Sequence, residues 1–170
     1  ITAQQRRVAE DLTKIYPIVP VSSDKALAFK IRGLALPNSE ELDSVSSAEA
    51  AGALGFVAQA TQLLSFYLGI ALPYHVQPMG STSWIIDPIS QVSSTNGTAS
   101  AIANALRSTE DKVYPLHQSR VARFRFEYGV FLLNKDIQLL LESGFGVRVL
   151  DIRHTLPNLK YLLYVATAGD

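Results

Sequence analysis

The stretch RFRFEYGVFLLNKDIQLLLES, Arg123–Ser143, sets the tightest limit on what this chain can fold into. It is too long for one strand, and wound as a helix it carries apolar residues on two opposite sides. With Phe124 at the origin and ~100° per residue, Tyr128, Phe131, Leu132 and Leu139 lie within about 80° of it. Phe126, Val130, Leu133, Ile137 and Leu140 gather on the far side. Arg125 and Asp136 fall on one seam between these faces, and Glu127, Asn134 and Gln138 on the other. Burying each such apolar side chain is worth about 1.5–3 kcal/mol, far too much in total to forgo. Two arrangements supply the cover. Both faces are internal, with a sheet below and another long helix above, or the face of Phe126, Val130, Leu133 and Ile137 completes a contact with another subunit. Lys135 and Glu142 break the first face near its C-terminal end, which predicts that this end reaches solvent.

A second long helix is predicted at 47–68, with Ser47 as N-cap and Glu49 in the first turn. Its segment Ala51–Ile70 is uncharged and close to the ~20 residues that cross a bilayer. Gln59, Thr61, Gln62 and Ser65 within it, and no close flanking Lys or Arg, favour a buried core helix. Gly55, Gln59 and Gln62 form a narrow small or polar strip. Gly52 and Gly55 lower helix propensity, and close approach of a neighbour's backbone is the expected compensation.

The remaining segments fall around these two helices. Ile1, Gln5, Val8, Leu12 and Ile15 line one face of a helix over residues 1–15, read as the C-terminal end of a coiled-coil helix. Val8, Leu12 and Ile15 are therefore candidate partner contacts. The chain opens at Ile1 without Met and reads as a piece of something longer. A hairpin is predicted at 16–34, its second strand alternating Leu27, Phe29 and Ile31 against Ala28, Lys30 and Arg32. Leu36–Ser47 reads as a loop. PYHVQPMGSTSWIID reads as two short strands broken at Gly80, and 90–112 as a flexible Ser/Thr/Asn-rich insertion. Gly144 is the predicted stop of the helix that starts at 123. FGVRVLDIR reads as a short strand, and TLPNLKYLLYVAT as a last helix with Pro157 in its first turn. Hairpin-then-helix thus occurs twice, with a shortened third copy. The fold class expected is α/β in the α+β sense, with short antiparallel hairpins packed on long helices in one domain over 16–170.

The chemistry is sparse. Lys and Arg total 15 and Asp and Glu total 15, so the basic excess of a nucleic-acid binder is missing. Without cysteine there is no disulfide framework, thiolate nucleophile or zinc-finger site. No phosphate-binding glycine loop, dinucleotide fingerprint or HExxH is present. His75, His117 and His154 have no metal-ligand spacing, and His154 is read as a cap or backbone partner. Asn96-Gly97-Thr98 matches a glycosylation acceptor and is read as idle. No catalytic residue, metal ligand or cofactor is expected. For contact with an anionic membrane the candidates are Trp84, Ile85, Ile86 and Phe145 as apolar groups. Arg123 and Arg125, with Lys30, Arg32 and Arg120, are the candidate cations. Alternation in STSWIID equally places Trp84 in the core.

FKIRGLALPNS, AGALGFVAQATQLLSFYLGIALPY, GSTSWIIDPIS, RFEYGVFLLNKDIQLLL and DIRHTLPNLKYLL occur in that order. Together they resemble the C-terminal half of the UV radiation resistance-associated protein family, in a fungal or other divergent member. IRGLALPNS and the GSTS…DPIS strand favour this family over its sister, the autophagy-specific subunit. The resemblance implies a β-α repeated, autophagy-related (BARA-like) domain. It also implies a non-catalytic subunit of the class III phosphatidylinositol 3-kinase complex, acting in endosomal sorting and autophagy. The implied partners are a Beclin-type subunit, the lipid kinase and its protein-kinase-like regulatory subunit. The implied location is cytoplasmic, peripheral on endosomal, vacuolar or autophagic membranes.

Overall fold

A computed structural model describes residues 1–88, 112–118 and 123–168, and the expected insertion at 90–112 lies outside them except for Lys112. Helix α1, Ala3–Ile15, starts at Thr2, whose side chain accepts from Gln5 N–H while the Gln5 side chain accepts from Thr2 N–H. Strands β1 (Ile18–Pro20), β2 (Phe29–Ile31) and β3 (Leu34–Leu36) form an antiparallel sheet in that order. The β2–β3 turn has only Arg32 and Gly33, at φ 48° and 84°, and such a pair of positive φ values gives strands the right-handed twist they need. The expected hairpin is therefore the first half of a three-stranded sheet that continues into Leu34–Leu36. A short 3-10 segment, Ser39–Ser44, leads to α2, Ser47–Leu68. Ser46, one residue before the expected cap, accepts from Glu49 N–H, and Gly69 ends α2 in the left-handed region.

The second half repeats the order. Strands β4 (His75–Gln77), β5 (Trp84–Ile86) and β6 (Val113–Pro115) form a second antiparallel sheet, followed by α3, Arg123–Phe145. Strand β6 is a third strand where only a pair was expected. Helix α3 stops at Gly146, not Gly144. Gly146 sits at φ 65°, its N–H reaches Glu142 O, and Val147 N–H reaches Leu141 O. Gly144 instead lies against the end of the Ile70 side chain, 2.9 Å from where its Cβ would be. Helix α4, Thr155–Ala168, follows with no strand before it, so the third copy of the repeat is a helix alone.

Helix α2 runs through the middle of the molecule. It packs on β2 and β3, on β4, and on α1, α3 and α4, which is why a segment apolar enough to span a bilayer is a core helix here. Gly55 makes the expected close approach to a neighbour's backbone, whereas Gly52 meets a side chain. A Cβ on Gly52 would lie 2.8 Å from Leu34 Cδ1, and one on Gly55 would lie 2.1 Å from the Gly80 carbonyl oxygen. Gln62 Nε2 donates to Val76 O of β4 from the same strip.

Helix α3 packs on β5 and β6, α2, α4 and the 3-10 segment. Gly129 seats it on the second sheet, where a Cβ would come within 2.7 Å of Pro115 O. Thr155 Oγ1 donates to Asn134 Oδ1 at 2.7 Å inside the α3–α4 contact. Asp136 is fully buried, and its Oδ1 accepts Tyr74 N–H at 3.1 Å while Oδ2 has no partner. Burial pushes this carboxyl up to about 8, against the lowering effect of the Tyr74 N–H.

Two predictions concern stability. Gly55→Ala and Gly129→Ala each drive a methyl into a backbone carbonyl, so a loss of about 1–3 kcal/mol or more is expected despite the gain in helix propensity. Gln59→Ala, at an exposed position of α2, should stay within about 0.5 kcal/mol, all three read by urea unfolding. Asp136 holds its proton in the folded chain at pH values where the unfolded chain has lost it. Its contribution to stability is therefore full below the ordinary carboxyl range and declines as pH rises toward about 8. Asp136→Asn keeps an acceptor for Tyr74 N–H and should flatten that decline, so the variant gains on the wild type in urea midpoints as pH is raised.

Candidate interaction surface

Among the described residues no group of three or more His, Asp or Glu side chains stands close enough to hold a metal ion. His75 is exposed on β4, His117 is half-buried after β6, and His154 Nε2 lies 3.6 Å from Asp151 Oδ2. The His154 carbonyl accepts Asn158 N–H at the start of α4. The notable surface features are apolar side chains left in water.

The candidate partner face of α3 is not one of them. Phe126, Val130, Leu133 and Ile137 are 0–3% exposed, because α3 lies between the second sheet and its neighbouring helices. This chain's own core covers them, which corrects the expectation that they meet a partner. Leu12 is likewise buried and Val8 half-buried against the core, since α1 packs on α4 and α2. Only Ile15 of that set is exposed.

The candidate membrane residues are also dispersed. Ile85 is completely buried at the centre of β5, flanked by Val76 and Tyr114. Its neighbours Trp84 and Ile86 are half-buried on the opposite face of the strand, so the alternation of STSWIID puts Ile85, and not Trp84, in the core. Phe145 packs against the core at the end of α3. Arg123 bonds Asp43 and Glu127, which raises its pKa, and Arg125 donates to Val113 O at 2.7 Å with its guanidinium over the Tyr114 ring. Arg32 lies over the Phe56 ring, Lys30 is half-buried on β2, and Arg120 is outside the described residues.

What α3 does expose is its other face. Phe124 is 65% and Phe131 40% exposed, with Tyr128 half-buried between them. Tyr128 stacks on Phe131 at 5.9 Å and meets Tyr114 edge-on at 4.7 Å, while Lys135 lies over Phe131. Tyr128 Oη donates to Asp87, and burial followed by that carboxylate pushes its pKa up to about 12. Ion pairs border the strip: Arg123 with Asp43 and Glu127, and Arg153 with Glu40 and Asp151. Arg153 holds the Asp151 carboxyl down to about 2. An apolar centre within a charged rim is how protein-binding surfaces are built.

The sequence pattern places these aromatic residues on one helix face, but the subunit contact it left open, as the alternative to two internal faces, was on the opposite side. A second exposed group was missed altogether: Tyr161 and Tyr164, stacked on α4, and Leu150 in the loop before it. The signals were the i, i+3 tyrosine spacing and the apolar residue at the end of GVRVL.

The family model described as vacuolar sorting 38 and autophagy-related subunit 14 matches residues 1–159. The chain is 34% identical over 161 residues to the UV radiation resistance-associated protein of Mus musculus, covering 94% of this chain and 20% of that protein. It is 32% identical over 159 residues to the vacuolar protein sorting-associated protein 38 of Schizosaccharomyces pombe, covering 94% of this chain and 29% of that protein. The chain thus spans under a third of the length of these curated relatives. The extent of these matches shows that the chain belongs to the vacuolar sorting 38 and autophagy-related subunit 14 family.

Proposed function

We propose that this chain is a non-catalytic pairing domain of a class III phosphatidylinositol 3-kinase complex, serving endosomal and vacuolar sorting and autophagy. The family match along nearly the whole chain carries this reading. Through the complex the domain is placed beside a Beclin-type subunit, with the lipid kinase and its protein-kinase-like regulatory subunit, at endosomal, vacuolar or autophagic membranes. The exposed strip of Phe124, Tyr128 and Phe131 is the surface best suited to the Beclin-type subunit. It is aromatic and supported from behind by Tyr114, and its charged rim gives orientation to the encounter. Direct lipid contact by the domain has weaker support, since Ile85 is in the core and Arg123 and Arg125 are already engaged.

Phe124→Asp alters a side chain that the fold leaves mostly in water and should keep the wild-type unfolding midpoint, while Phe131→Asp also gives up its stacking on Tyr128 and should cost about 1 kcal/mol without unfolding the chain. Each is expected to weaken binding to a purified Beclin-type subunit by about tenfold or more in titration calorimetry. Unchanged affinity in both would remove the strip from the interface. Failure of the unaltered chain, supplied with the rest of its own protein, to join the complex would remove the assignment itself.

A further inference from the structure

The segment Ile70–Tyr74, which joins α2 to β4, lies lengthwise on α3. One end is fixed. Gly69 turns the chain at φ 68°, Ile70 N–H reaches Ser65 O, and the Ile70 side chain ends against Gly144 of α3. At the other end Tyr74 N–H donates to Asp136 Oδ1 at 3.1 Å, and His75 beside it pairs with Ile86. Asp136, Leu140 and Gly144 stand four apart and fall on one line of the helix. The helix rises about 12 Å from Asp136 to Gly144, and the chain from Tyr74 back to Ile70 reaches at most about 13–14 Å. The segment is therefore a nearly straight strap, antiparallel to α3. Its burial alternates accordingly, with Ile70, Leu72 and Tyr74 half-buried and Ala71 and Pro73 exposed. Asp136 and Leu140 are fully buried.

We infer that this strap opens as a unit between Ile70 and His75, and that each opening passes one proton from the Asp136 carboxyl to solvent. The strap is the side that gives way. Helix α3 is packed from several directions, whereas Ala71, Leu72 and Pro73 make no backbone hydrogen bond among the described residues. With the strap closed, Asp136 lies in the core, which favours the neutral acid and pushes its pKa up to about 8. With the strap open, water reaches the carboxyl and it returns to the ordinary range of about 4. Between those limits the closed form holds one proton more than the open form. The opening equilibrium therefore rises about tenfold for each unit of pH, and it is level below and above them. The other ionisable groups packed around α3 are engaged elsewhere. Lys135 bonds Gln138, Glu49 of α2 accepts Ala35 N–H, and Lys160 of α4 lies over Phe29. Glu40 and Asp43 of the 3-10 segment pair with Arg153 and Arg123, and Tyr114 of β6 meets Tyr128. Tyr74 of the strap acts on Asp136 through its N–H, and no charged group among the described residues adds to the effect of burial there. This inference does not depend on membership of a kinase complex.

The test is amide exchange at Tyr74, read by NMR on the folded chain between pH 5 and 7 and corrected for the ordinary pH dependence of exchange. In wild type the protection of Tyr74 should fall about 100-fold over that range, with only a shallow dependence on urea. In Asp136→Asn, which keeps the acceptor and cannot ionise, protection should be level. The Asp136 carboxyl carbon, followed in wild type without any substitution, should titrate at about 8. The inference is overturned by level protection in wild type, by an equal fall in Asp136→Asn, or by a carboxyl that titrates at about 4. It is also overturned if Tyr74 shares both the protection and the urea dependence of Leu133 in the middle of α3, since the whole chain would then be opening and not the strap.

Discussion

Three residues along one line of α3, Arg125, Gly129 and Asp136, hold that helix against backbone, and the placement of the second half depends on them. Arg125 donates to the Val113 carbonyl, Gly129 leaves room for the Pro115 carbonyl, and Asp136 accepts the Tyr74 N–H. Each meets a main-chain group at or beside the second sheet, so this line is the helix's footprint on it. A side chain at Gly129 would lift α3 and lengthen both hydrogen bonds together. The same device recurs on α2, where Gly55 leaves room for the Gly80 carbonyl in the turn between β4 and β5.

Low seating explains the two apolar faces. When a helix rests on a sheet through glycine and polar contacts, its large side chains are free to reach sideways into neighbouring layers. Phe126, Val130, Leu133 and Ile137 do this and join the side chains of α2 and α4 in a single core. The polar seams are therefore not a solvent-facing compromise. One meets backbone, and the other is partly used inside, where Asn134 accepts from Thr155. A buried carboxyl at Asp136 is the accompanying penalty, since one oxygen is satisfied and the other is not.

Local pattern revealed the long helices to within a few residues, because apolar period and capping chemistry are encoded next to each other. It also revealed the close backbone approach at Gly55, since a glycine inside a strongly apolar helix needs a reason. It failed where the deciding partner is distant in sequence. Strand β6 is three residues long and ends in a proline, and only its pairing with Trp84–Ile86 makes it a strand. FGVRVL has strand composition but no partner strand among the described residues, and composition alone cannot form a ladder. Which face of α3 stays open was not legible, because both faces are apolar. What separates them is that α2, α4 and the 3-10 segment cover one more fully than the other, which is tertiary information. Tyr161 and Tyr164 went unnoticed because two tyrosines on an amphipathic helix read as ordinary packing.

Loop 151–154 connects the two exposed surfaces and determines how independent they are. Arg153 donates three times to Asp151, from its N–H, Nε and Nη2, and once to Glu40, while Asp151 O accepts from Asn158. Ile152 and Arg153 border the groove beside Phe131, and Asp151 and His154 border the groove beside Leu150. A loop with this density of local hydrogen bonds has little conformational freedom left to lose. Anything that docks on either side meets a surface already in shape, and binding there is spared much of the ordering entropy that exposed loops otherwise lose. Such pre-set geometry is a physical means of fixing the position of whatever docks on one side relative to the other.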